Sequence, residues 1–477
     1  MTIKAREYDQ FDEFKVDRTI RESTRQYRLF ETELKDRNAG QLKIFQGLER
    51  YLPFFEARTF RDHVHFQYTS EIPVQRWYPY REGYSVRLVD AFLKELGITG
   101  NTFDPFAGSG TTLLASRIGN LKSFGIDINP ASTLIAKAEN EKYTTADVEE
   151  FDKQTKRMID IEESPYDFGT SFALAKKVFN EEILRSLLQF KHHIKGMEDD
   201  RVRRLFFLAW LSIIEDVSNI KKEGNGIKYK NRKRTPAGYI NIDKDTWERL
   251  NFPPDKFNFV KDKLLNQLKV ISEDLHHNYG RCDKKPEIYH GSCLEFESYF
   301  PDEIQFSFFS PPYCNCFDYF EIHKVELWLG EFVKNKDDIS RLRNKGFRSN
   351  TGALDNKPIT YHNKHLENLI QMFESTRLWN KKIPSVVRGY FDDMDTLLKK
   401  IYCRTDKKGF VGVVVGNSAY SGVIIPTDEL IAEIGQEVGF KVNGIYIARH
   451  LTTSSQQKRE LESLRSYLRE SIVLLER

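Results

Sequence analysis

The chain has 477 residues, of which 40% are hydrophobic, and its 35 Phe and 22 Tyr can fill the core of two or three globular domains. Its net charge of +3 neither requires nor excludes a polyanionic partner, so the evidence for such a partner must come from local clusters of charge. No apolar run approaches the ~18 residues that a membrane span needs, and the opening "MTIKAREYDQFDEF" is too charged for a signal peptide. These features predict a cytoplasmic protein with no membrane partner.

The cysteines argue against a disulfide framework and against a zinc ribbon. Their number is odd, and none of them stands in paired CxxC spacing. The five are Cys282, Cys293, Cys314, Cys316 and Cys403. We expect reduced thiols and no bound metal.

The first two thirds of the chain change pattern twice. Residues 1–75 are rich in charge and carry apolar residues three and four apart, which predicts helices. From residue 84 a helix closed by glycine precedes the strand-like "NTFDPFAG", and a second strand and helix follow in "SFGIDINPASTLIAKAENEKY". Residues 141–284 are predicted to be largely helical, with one basic loop.

Strand patterns return in the last two hundred residues. They are "EIYHG" (287–291), "IQFSFFS" (304–310), "FVGVVVGNS" (410–418), "FKVNGIYIARHL" (440–451) and "SIVLLER" (471–477). Strands that alternate with helices predict an α/β fold with a mainly parallel sheet of seven strands. The last strand has no helix after it, which predicts an antiparallel hairpin at the end of the sheet.

These patterns divide the chain into four predicted regions. They are a helical amino-terminal accessory region (1–75), the first part of an α/β core (76–140), a helical insertion (141–284), and the second part of the core (285–477), which carries a basic insertion at about 335–390.

The segment "FDPFAGSGTT" (103–112) is a strand that runs into a glycine-rich turn and opens a helix. Gly108 and Gly110 can take positive φ and let the backbone approach a ligand, and the helix amino end favours a carboxylate. A Walker loop would need a lysine that is absent, and a dinucleotide fingerprint would need glycine at Leu113. Asp127 ends the next strand, where it can accept hydrogen bonds from ribose hydroxyls. The alternative is a purely structural turn, but Asp127 favours a nucleoside cofactor.

A second unusual feature is the way the hydrophobic strand 304–309 ends. Pro311 and Pro312 have no N–H to give a sheet, so they end the strand sharply. Ser310, two rigid carbonyls and the Tyr313 ring are then presented together at the carboxyl end of a strand, where open α/β sheets bind ligands.

Together, "DPFAGSGTT", "GIDINP" and "SPPY" resemble the cofactor loop, the ribose-binding acid and the catalytic motif of the DNA amino-methyltransferases. The resemblance covers residues 84–140 and 287–477, and the SPPY form is most typical of enzymes that methylate the N4 amino group of cytosine. It implies a seven-stranded Rossmann-like methyltransferase sheet with a helical amino-terminal lobe and a helical insertion. Residues 76–140 would be the cofactor-binding half of this core, residues 285–477 its catalytic half, and the insertion 141–284 would recognise the target. It also implies S-adenosyl-L-methionine as cofactor and double-stranded DNA as partner. The setting would be restriction-modification or another defence system, in which associated restriction or defence proteins can be partners.

The resemblance also implies roles for individual residues. The cofactor would be held by Asp104, Pro105, Phe106, Ala107, Gly108, Ser109, Gly110, Thr111, Thr112, Asp127 and Ser292. Ser292 is a departure, because related sequences usually have an acid there, near the adenine ring. The catalytic residues would be Ser310, Pro311, Pro312 and Tyr313.

In such a site an exocyclic amino nitrogen must be made nucleophilic. Ser310 Oγ and the Pro311 carbonyl would accept hydrogen bonds from its two N–H groups, so that the nitrogen lone pair can attack a sulfonium methyl in line. Tyr313 would offer a face to a base extruded from the duplex. It stands where enzymes that methylate cytosine carbon have a nucleophilic cysteine, so no covalent intermediate is expected. His323 lies in an amphipathic helix and is predicted to be a core residue rather than a base.

Two basic clusters are candidates for phosphate contacts. The segment "KKEGNGIKYKNRKR" (221–234) has seven basic residues and one acidic residue. The segment "RLRNKGFRSN" (341–350) has four basic residues and no acidic residue. A solvated surface is the alternative. The predicted nucleic-acid ligands are Lys228, Lys230, Arg232, Lys233, Arg234, Arg341, Arg343, Lys345 and Arg348.

Two rival functions stay open. One changes only the substrate, to adenine N6 in DNA or guanine N2 in RNA. The other is a catalytically silent subunit that keeps the fold and binds nucleic acid, although intact Ser310, Gly108 and Gly110 argue against it.

Overall fold

The computed structural model describes residues 32–477, apart from residues 224–225, 236–237, 278–283, 301, 355–356 and 453–456. Cys282 therefore lies outside the described residues, as do residues 1–31 of the predicted amino-terminal helical region. Within the described ranges no helix is both long and apolar enough to cross a membrane.

The helices of the described residues are numbered in chain order. They are α1 (32–49), α2 (Val86–Glu95), α3 (Thr111–Ile118), α4 (Pro130–Glu139), α5 (Thr145–Ile159), α6 (Ala175–Val178), α7 (Glu181–Lys195), α8 (Asp200–Ile213), α9 (Lys244–Asn251), α10 (Lys256–His276), α11 (Tyr319–Ile322), α12 (Lys324–Leu329), α13 (Lys336–Lys345), α14 (Lys364–Met372), α15 (Ile383–Arg404) and α16 (Thr427–Val438).

The strands are numbered in the same way. They are β1 (Phe54–Glu56), β2 (Thr102–Asp104), β3 (Ser123–Asp127), β4 (Ile220–Glu223), β5 (Gly226–Tyr229), β6 (Arg232–Thr235), β7 (Gly238–Asn241), β8 (Glu287–His290), β9 (Ile304–Phe309), β10 (Thr405–Gly416), β11 (Ser418–Tyr420), β12 (Val423–Ile425), β13 (Lys441–His450) and β14 (Arg469–Glu476).

A central sheet of eight strands has the order β1-β13-β14-β10-β9-β2-β3-β8. Its strands are parallel except for β14, which is antiparallel to both β10 and β13. The seven predicted strands and the final antiparallel hairpin are confirmed. With helices around it, this α/β sheet is consistent with a Rossmann-like methyltransferase fold.

The eighth strand, β1, corrects the prediction that only helices precede residue 75. It adds to the sheet edge by pairing in parallel with β13, with Phe54 opposite Ile445. Three residues are too few to carry a strand periodicity. The pairing is therefore a tertiary effect, in which β13 offers its edge to a short segment that follows α1.

The predicted basic loop of the insertion is also wrong, because it forms two antiparallel hairpins, β4–β5 and β6–β7. Ile227 and Tyr229 alternate with Lys228 and Lys230 in the sequence, which is the two-residue period of a strand. The density of charge hides that period. The hairpins interrupt a helical region in which α5, α7 and α8 pack around α10.

The sheet order brings the two sequence motifs together. β9 lies directly beside β2, with Phe306 opposite Thr102 and Ser307 opposite Phe103. Both strands are parallel, so the glycine-rich turn after β2 and the prolines after β9 leave the same edge of the sheet. This is the edge at which open α/β sheets bind ligands.

Candidate functional site

A cavity of about 500 Å³ opens at the carboxyl ends of β2, β3 and β9. Its wall contains residues of all three predicted motifs, namely Pro105, Phe106, Gly108, Asp127, Ser310, Pro311, Pro312 and Tyr313. The volume lies within the range that holds a small-molecule ligand or cofactor. The structure thus joins segments that are about two hundred residues apart in sequence.

The glycine-rich turn needs its glycines for conformation and for space. Gly108 has φ of +52° and Gly110 has φ of +87°. A Cβ atom on Gly108 would lie 3.0 Å from the Tyr80 ring, which forms the opposite wall of a narrow cleft. The turn can therefore present backbone N–H groups to a ligand that a side chain would exclude.

Asp127 fixes this turn from the end of the next strand. Its Oδ2 accepts the N–H of Gly108 at 2.8 Å, and its Oδ1 accepts the N–H of Asn129 at 2.7 Å. Burial raises the pKa of Asp127 above its usual value. Each carboxylate oxygen can accept more than one hydrogen bond, so Asp127 can hold the turn and also face a ligand in the cavity.

Several predicted cofactor residues support the turn from behind rather than lining the described cavity wall. Asp104 is buried, where its Oδ1 accepts the N–H of Phe106 at 2.9 Å and its Oδ2 accepts the Tyr84 hydroxyl at 3.3 Å. Thr112 donates to the Phe308 carbonyl at 2.9 Å and so ties α3 to β9. The others in this supporting layer are Ala107, Ser109, Gly110 and Thr111.

Ser292, which was predicted to hold the cofactor, caps a short helix and is not among the residues that line the cavity. Its hydroxyl accepts the N–H of Leu294 at 3.3 Å and caps the 3₁₀ helix Cys293–Ser298. The side chain that reaches the cavity wall is that of its neighbour Cys293. A serine before a short helix is a common capping residue, so its role is explained without a ligand.

The Tyr313 side chain is held at both ends. Its ring packs against β10, where a Cβ on Gly416 would lie 2.8 Å from Tyr313 Cε2. Its hydroxyl donates to Glu470 Oε1, and the other carboxylate oxygen of Glu470 accepts from Arg449 Nε. Burial, with Glu470 beside it, raises the pKa of Tyr313 well above its usual value, so the hydroxyl keeps its proton.

Sequence reasoning missed Tyr80, Arg449 and Glu470, which all line the cavity. Glu470 contacts Tyr313 across 157 residues of sequence, and no local pattern announces such a contact. Tyr80 lies in "WYPYREGYS", where closely spaced aromatic residues precede a helix. That cluster is a signal that could have been used.

His323 is buried, in agreement with its predicted core role, but its neighbours are charged. Its ring stacks on Tyr80 with centroids 5.7 Å apart. Its Nε2 lies 3.4 Å from a Glu82 carboxylate oxygen, and its Nδ1 lies 3.4 Å from Lys222 Nζ. Lys222, which belongs to the basic cluster 221–234, also pairs with Glu326 at 2.5 Å and is buried. Glu82, Lys222, His323 and Glu326 form a largely buried polar cluster, and Glu82 and Lys222 of this cluster line the cavity.

Two of the predicted phosphate ligands are committed to structural roles. Arg348 is 3% exposed and pairs with both Asp392 and Asp393. Lys230 donates to the carbonyls of Glu215 at 2.6 Å and Ser218 at 2.9 Å. The Arg348 guanidinium is therefore buried, and the partly buried Lys230 ammonium is already bonded to two carbonyls.

The remaining cations differ in their surroundings. Arg343 lines the cavity and pairs with Asp318 at 2.7 Å. The exposed ones are Lys228, Arg232, Lys233, Arg341 and Lys345. The Arg234 side chain lies outside what the structure describes. Among the described residues no cluster of His, Cys, Asp and Glu side chains could hold a metal ion.

The α/β sheet, in which only β14 is antiparallel to its neighbours, and the cavity at the carboxyl ends of its strands are consistent with a Rossmann-like methyltransferase fold. No protein-family model matches the chain. The type II methyltransferase M.BsoBI of Geobacillus stearothermophilus is 29% identical over 92% of this chain and 93% of its own length. The type II methyltransferase M.AvaI of Nostoc sp. is 26% identical over 88% of this chain and 87% of its own. The type II methyltransferase M.MvaI of Kocuria varians is 24% identical over 72% and 75%. The similarity to type II methyltransferases therefore extends along nearly the whole chain.

Proposed function

We propose that this protein is a site-specific DNA methyltransferase of a restriction-modification system, and that it transfers methyl from S-adenosyl-L-methionine to the N4 amino group of cytosine. The observation that carries the proposal is the shared cavity, whose wall contains both the glycine turn with Asp127 and the segment Ser310–Pro311–Pro312–Tyr313. The relatives named type II methyltransferases, which align with most of the chain, support the same class of activity.

The cofactor fits the part of the cavity around the glycine turn. Gly108 lines the cavity without a side chain of its own, and the amino end of α3 lies behind it, which suits a carboxylate. Asp127 offers carboxylate oxygens for ribose hydroxyls, and Phe106 offers an apolar surface. When bound, S-adenosyl-L-methionine supplies a methyl group made electrophilic by its sulfonium.

The other side of the cavity supplies the groups that would act on the base. Ser310 Oγ and the Pro311 carbonyl accept hydrogen bonds from the two amino N–H groups of the target base. This localises the nitrogen lone pair for in-line attack on the methyl group. The prolines fix these acceptors because the backbone after β9 cannot re-enter the sheet. The Tyr313 ring, fixed by Glu470, holds a base that has been extruded from the duplex.

Exposed cations on β5, β6 and α13 support duplex DNA as the substrate, because such groups neutralise phosphates. The N4 position of cytosine rests on the SPPY sequence. Adenine N6 in DNA, guanine N2 in RNA and a silent binding subunit are the competing functions, and each gives a different experimental result.

The test is methyl transfer by the purified protein with a radiolabelled methyl donor and, in separate reactions, unmethylated DNA or RNA. The products are digested to nucleosides and separated by chromatography against standards. We expect label in N4-methylcytosine, and label that accumulates about 100-fold more slowly with Ser310→Ala. Label in N6-methyladenine would overturn the base assignment, and label only in RNA would overturn the DNA substrate. A protein that binds the donor and DNA but transfers nothing would be the silent subunit.

A further inference from the structure

The hairpin β6–β7 is an exposed two-stranded ribbon, which we call the distal ribbon. All four residues of β7 are exposed, and Tyr239 and Ile240 are 69% and 53% exposed. Arg232 lies opposite Asn241 in the register, and Lys233 lies opposite Ile240. Each pair therefore combines a cation with a side chain that can contact a base.

The charge of the distal ribbon is of one sign. No acidic residue occurs from residue 224 to residue 242, and the same stretch contains five Lys or Arg residues. Arg232 lies over the Tyr229 ring at 5.4 Å, which holds the guanidinium at the surface. A strongly positive and exposed ribbon is complementary to a polyanion.

The base of the distal ribbon is fixed to the hairpin that reaches the cavity. Asn231 Nδ2 donates to the Ile242 carbonyl at 2.8 Å, and Asn219 Nδ2 donates to Asn231 Oδ1 at 3.0 Å. Asn219 directly precedes β4, whose Lys222 and Glu223 line the cavity. A ligand held by the ribbon is therefore held in a defined relation to the catalytic motif.

We propose that the distal ribbon lies in the major groove of the substrate duplex and reads the target sequence, an inference that rests on the proposed function. An antiparallel pair of strands fits that groove, where every base pair shows a distinct pattern of hydrogen-bonding groups. Arg232 and Lys233 contact phosphates, which fixes the register. Asn241 supplies an amide of the kind that pairs with adenine, while Tyr239, two residues away and therefore on the same face of the ribbon, supplies an apolar contact for thymine methyl groups.

A duplex is a better occupant than a protein partner. The cores of protein interfaces are depleted in charged residues, whereas here the cations of β6 lie directly opposite the exposed residues of β7. A second copy of the chain would bring an identical positive ribbon and would repel the first. Charge thus favours DNA, and self-association becomes an outcome of the test.

The experiment measures duplex binding as a function of salt for two double variants. Arg232→Gln with Lys233→Gln should weaken binding to every sequence and reduce the slope of log affinity against log salt by about two. Tyr239→Ala with Asn241→Ala should leave that slope unchanged. It should lower the preference for the target, identified by sequencing DNA methylated in cells that express the wild type, by about ten-fold or more over a scrambled duplex.

The matched control is Lys407→Gln with Lys408→Gln, which removes two exposed cations. They lie at the amino end of β10, on the side of the sheet opposite the cavity. It should bind like the wild type. Unchanged slope in the first variant, unchanged preference in the second, or a change of self-association in sedimentation without a change in DNA binding would each overturn the inference. A wild type that binds duplexes without methylating them would sink the proposed function instead, and the slope comparison would still decide on the ribbon.

Discussion

Tyr313 shows how one side chain can be fixed so that it holds something else. Its ring packs on Gly416 and its hydroxyl donates to Glu470, which is itself held by Arg449. The hydroxyl is therefore an anchor, and the ring face is the part that a base can stack on. The two parts can be removed separately.

We predict that Tyr313→Ala weakens capture of the extruded base by about 1–3 kcal/mol, the cost of losing one aromatic platform, and lowers the methyl-transfer rate. Tyr313→Phe keeps the ring and loses only the anchor, so its defect should be clearly smaller. Single-turnover transfer and DNA affinity, measured on both variants, check this. Equal defects in the two variants would mean that the ring has no role of its own.

Ser310 gives the complementary case, because its hydroxyl is needed mainly as charge develops. Ser310→Ala should lower the single-turnover rate by about 100-fold or more, the order that follows removal of one preorganised hydrogen-bonding group. Affinities for DNA and for S-adenosyl-L-methionine should stay as in the wild type. Transfer at the normal rate would reduce the segment after β9 to a rigid end of a strand.

Asp104 should make the stability of the protein depend on pH. Burial raises its pKa in the folded state to about 7, whereas an unfolded chain has an aspartate pKa of about 3.9. Between these values the folded protein holds a proton that the unfolded chain has lost. The stabilising contribution of Asp104 is thus complete below about pH 4 and is lost as the pH rises through 7.

We predict that Asp104→Asn removes this dependence, because the amide keeps an acceptor for the Phe106 N–H and carries no charge. Relative to the variant, the wild type should lose about 1.4 kcal/mol of unfolding free energy per pH unit between pH 5 and 7. Urea unfolding of both proteins at pH 5, 6, 7 and 8 measures the difference. Parallel pH profiles would show that Asp104 does not hold a proton in the folded state.

At the scale of elements, Lys222 links the hairpin β4–β5 to α12 and to the segment before α2. Its ammonium group pairs with Glu326, and the carboxylate of Glu82 lies on the other side of His323. A buried lysine with such partners has a structural role, because it connects the elements that carry those partners. The insertion is thereby attached to the wall of the cavity through a charge rather than through apolar packing alone.

Lys222→Met should destabilise the protein by about 3–5 kcal/mol, because it leaves the Glu326 carboxylate buried without its partner. Adding Glu326→Leu removes the unpaired charge and should recover at least half of that loss. Lys221→Met, next to it and exposed, is the matched control and should change little. Denaturant unfolding of the four proteins gives the comparison. If the Glu326→Leu substitution recovers nothing, the charge pair does not account for the role of Lys222.

The elements that sequence predicts well are those with a long, regular pattern. The strand 304–309 and the strand that ends in Asp127 are of this kind, since their apolar residues and the glycines or prolines beside them determine the local structure. Strand β1 and the hairpins of the insertion were not predicted. The first is too short to have a period, and in the hairpins a run of cations outweighs the alternation of Ile227 and Tyr229.

At the scale of the whole molecule, the cavity wall collects residues from five parts of the chain. Tyr80, Gly108, Lys222, Tyr313 and Glu470 each come from a different part. Sequence motifs indicate Gly108 and Tyr313 because the chemistry is contained in a few neighbouring residues. The others become neighbours only through the sheet order, so no reading of local sequence could have joined them.

A ligand in this cavity should therefore stabilise the entire chain. At 100 times its dissociation constant, S-adenosyl-L-methionine should add about 2.7 kcal/mol to the unfolding free energy and raise the thermal midpoint. ATP, which has the nucleoside but no methionine, is the ligand control and should have a smaller effect. An unchanged midpoint at saturating concentration would mean that the cavity does not take this cofactor.

Two glycine variants distinguish the loss of ligand binding in the cavity from the backbone strain that any substitution of these glycines causes. Gly108 and Gly169 have φ of +52° and +61°, so valine costs backbone strain at both positions. At Gly108 the new side chain also meets the Tyr80 ring, whereas at Gly169 a Cβ has nothing within 4 Å. We predict that both variants have a lower midpoint without ligand, but that only Gly108→Val loses the rise caused by S-adenosyl-L-methionine. A full rise in Gly108→Val would show that the cofactor binds elsewhere, because valine at this position fills the cleft between the turn and Tyr80.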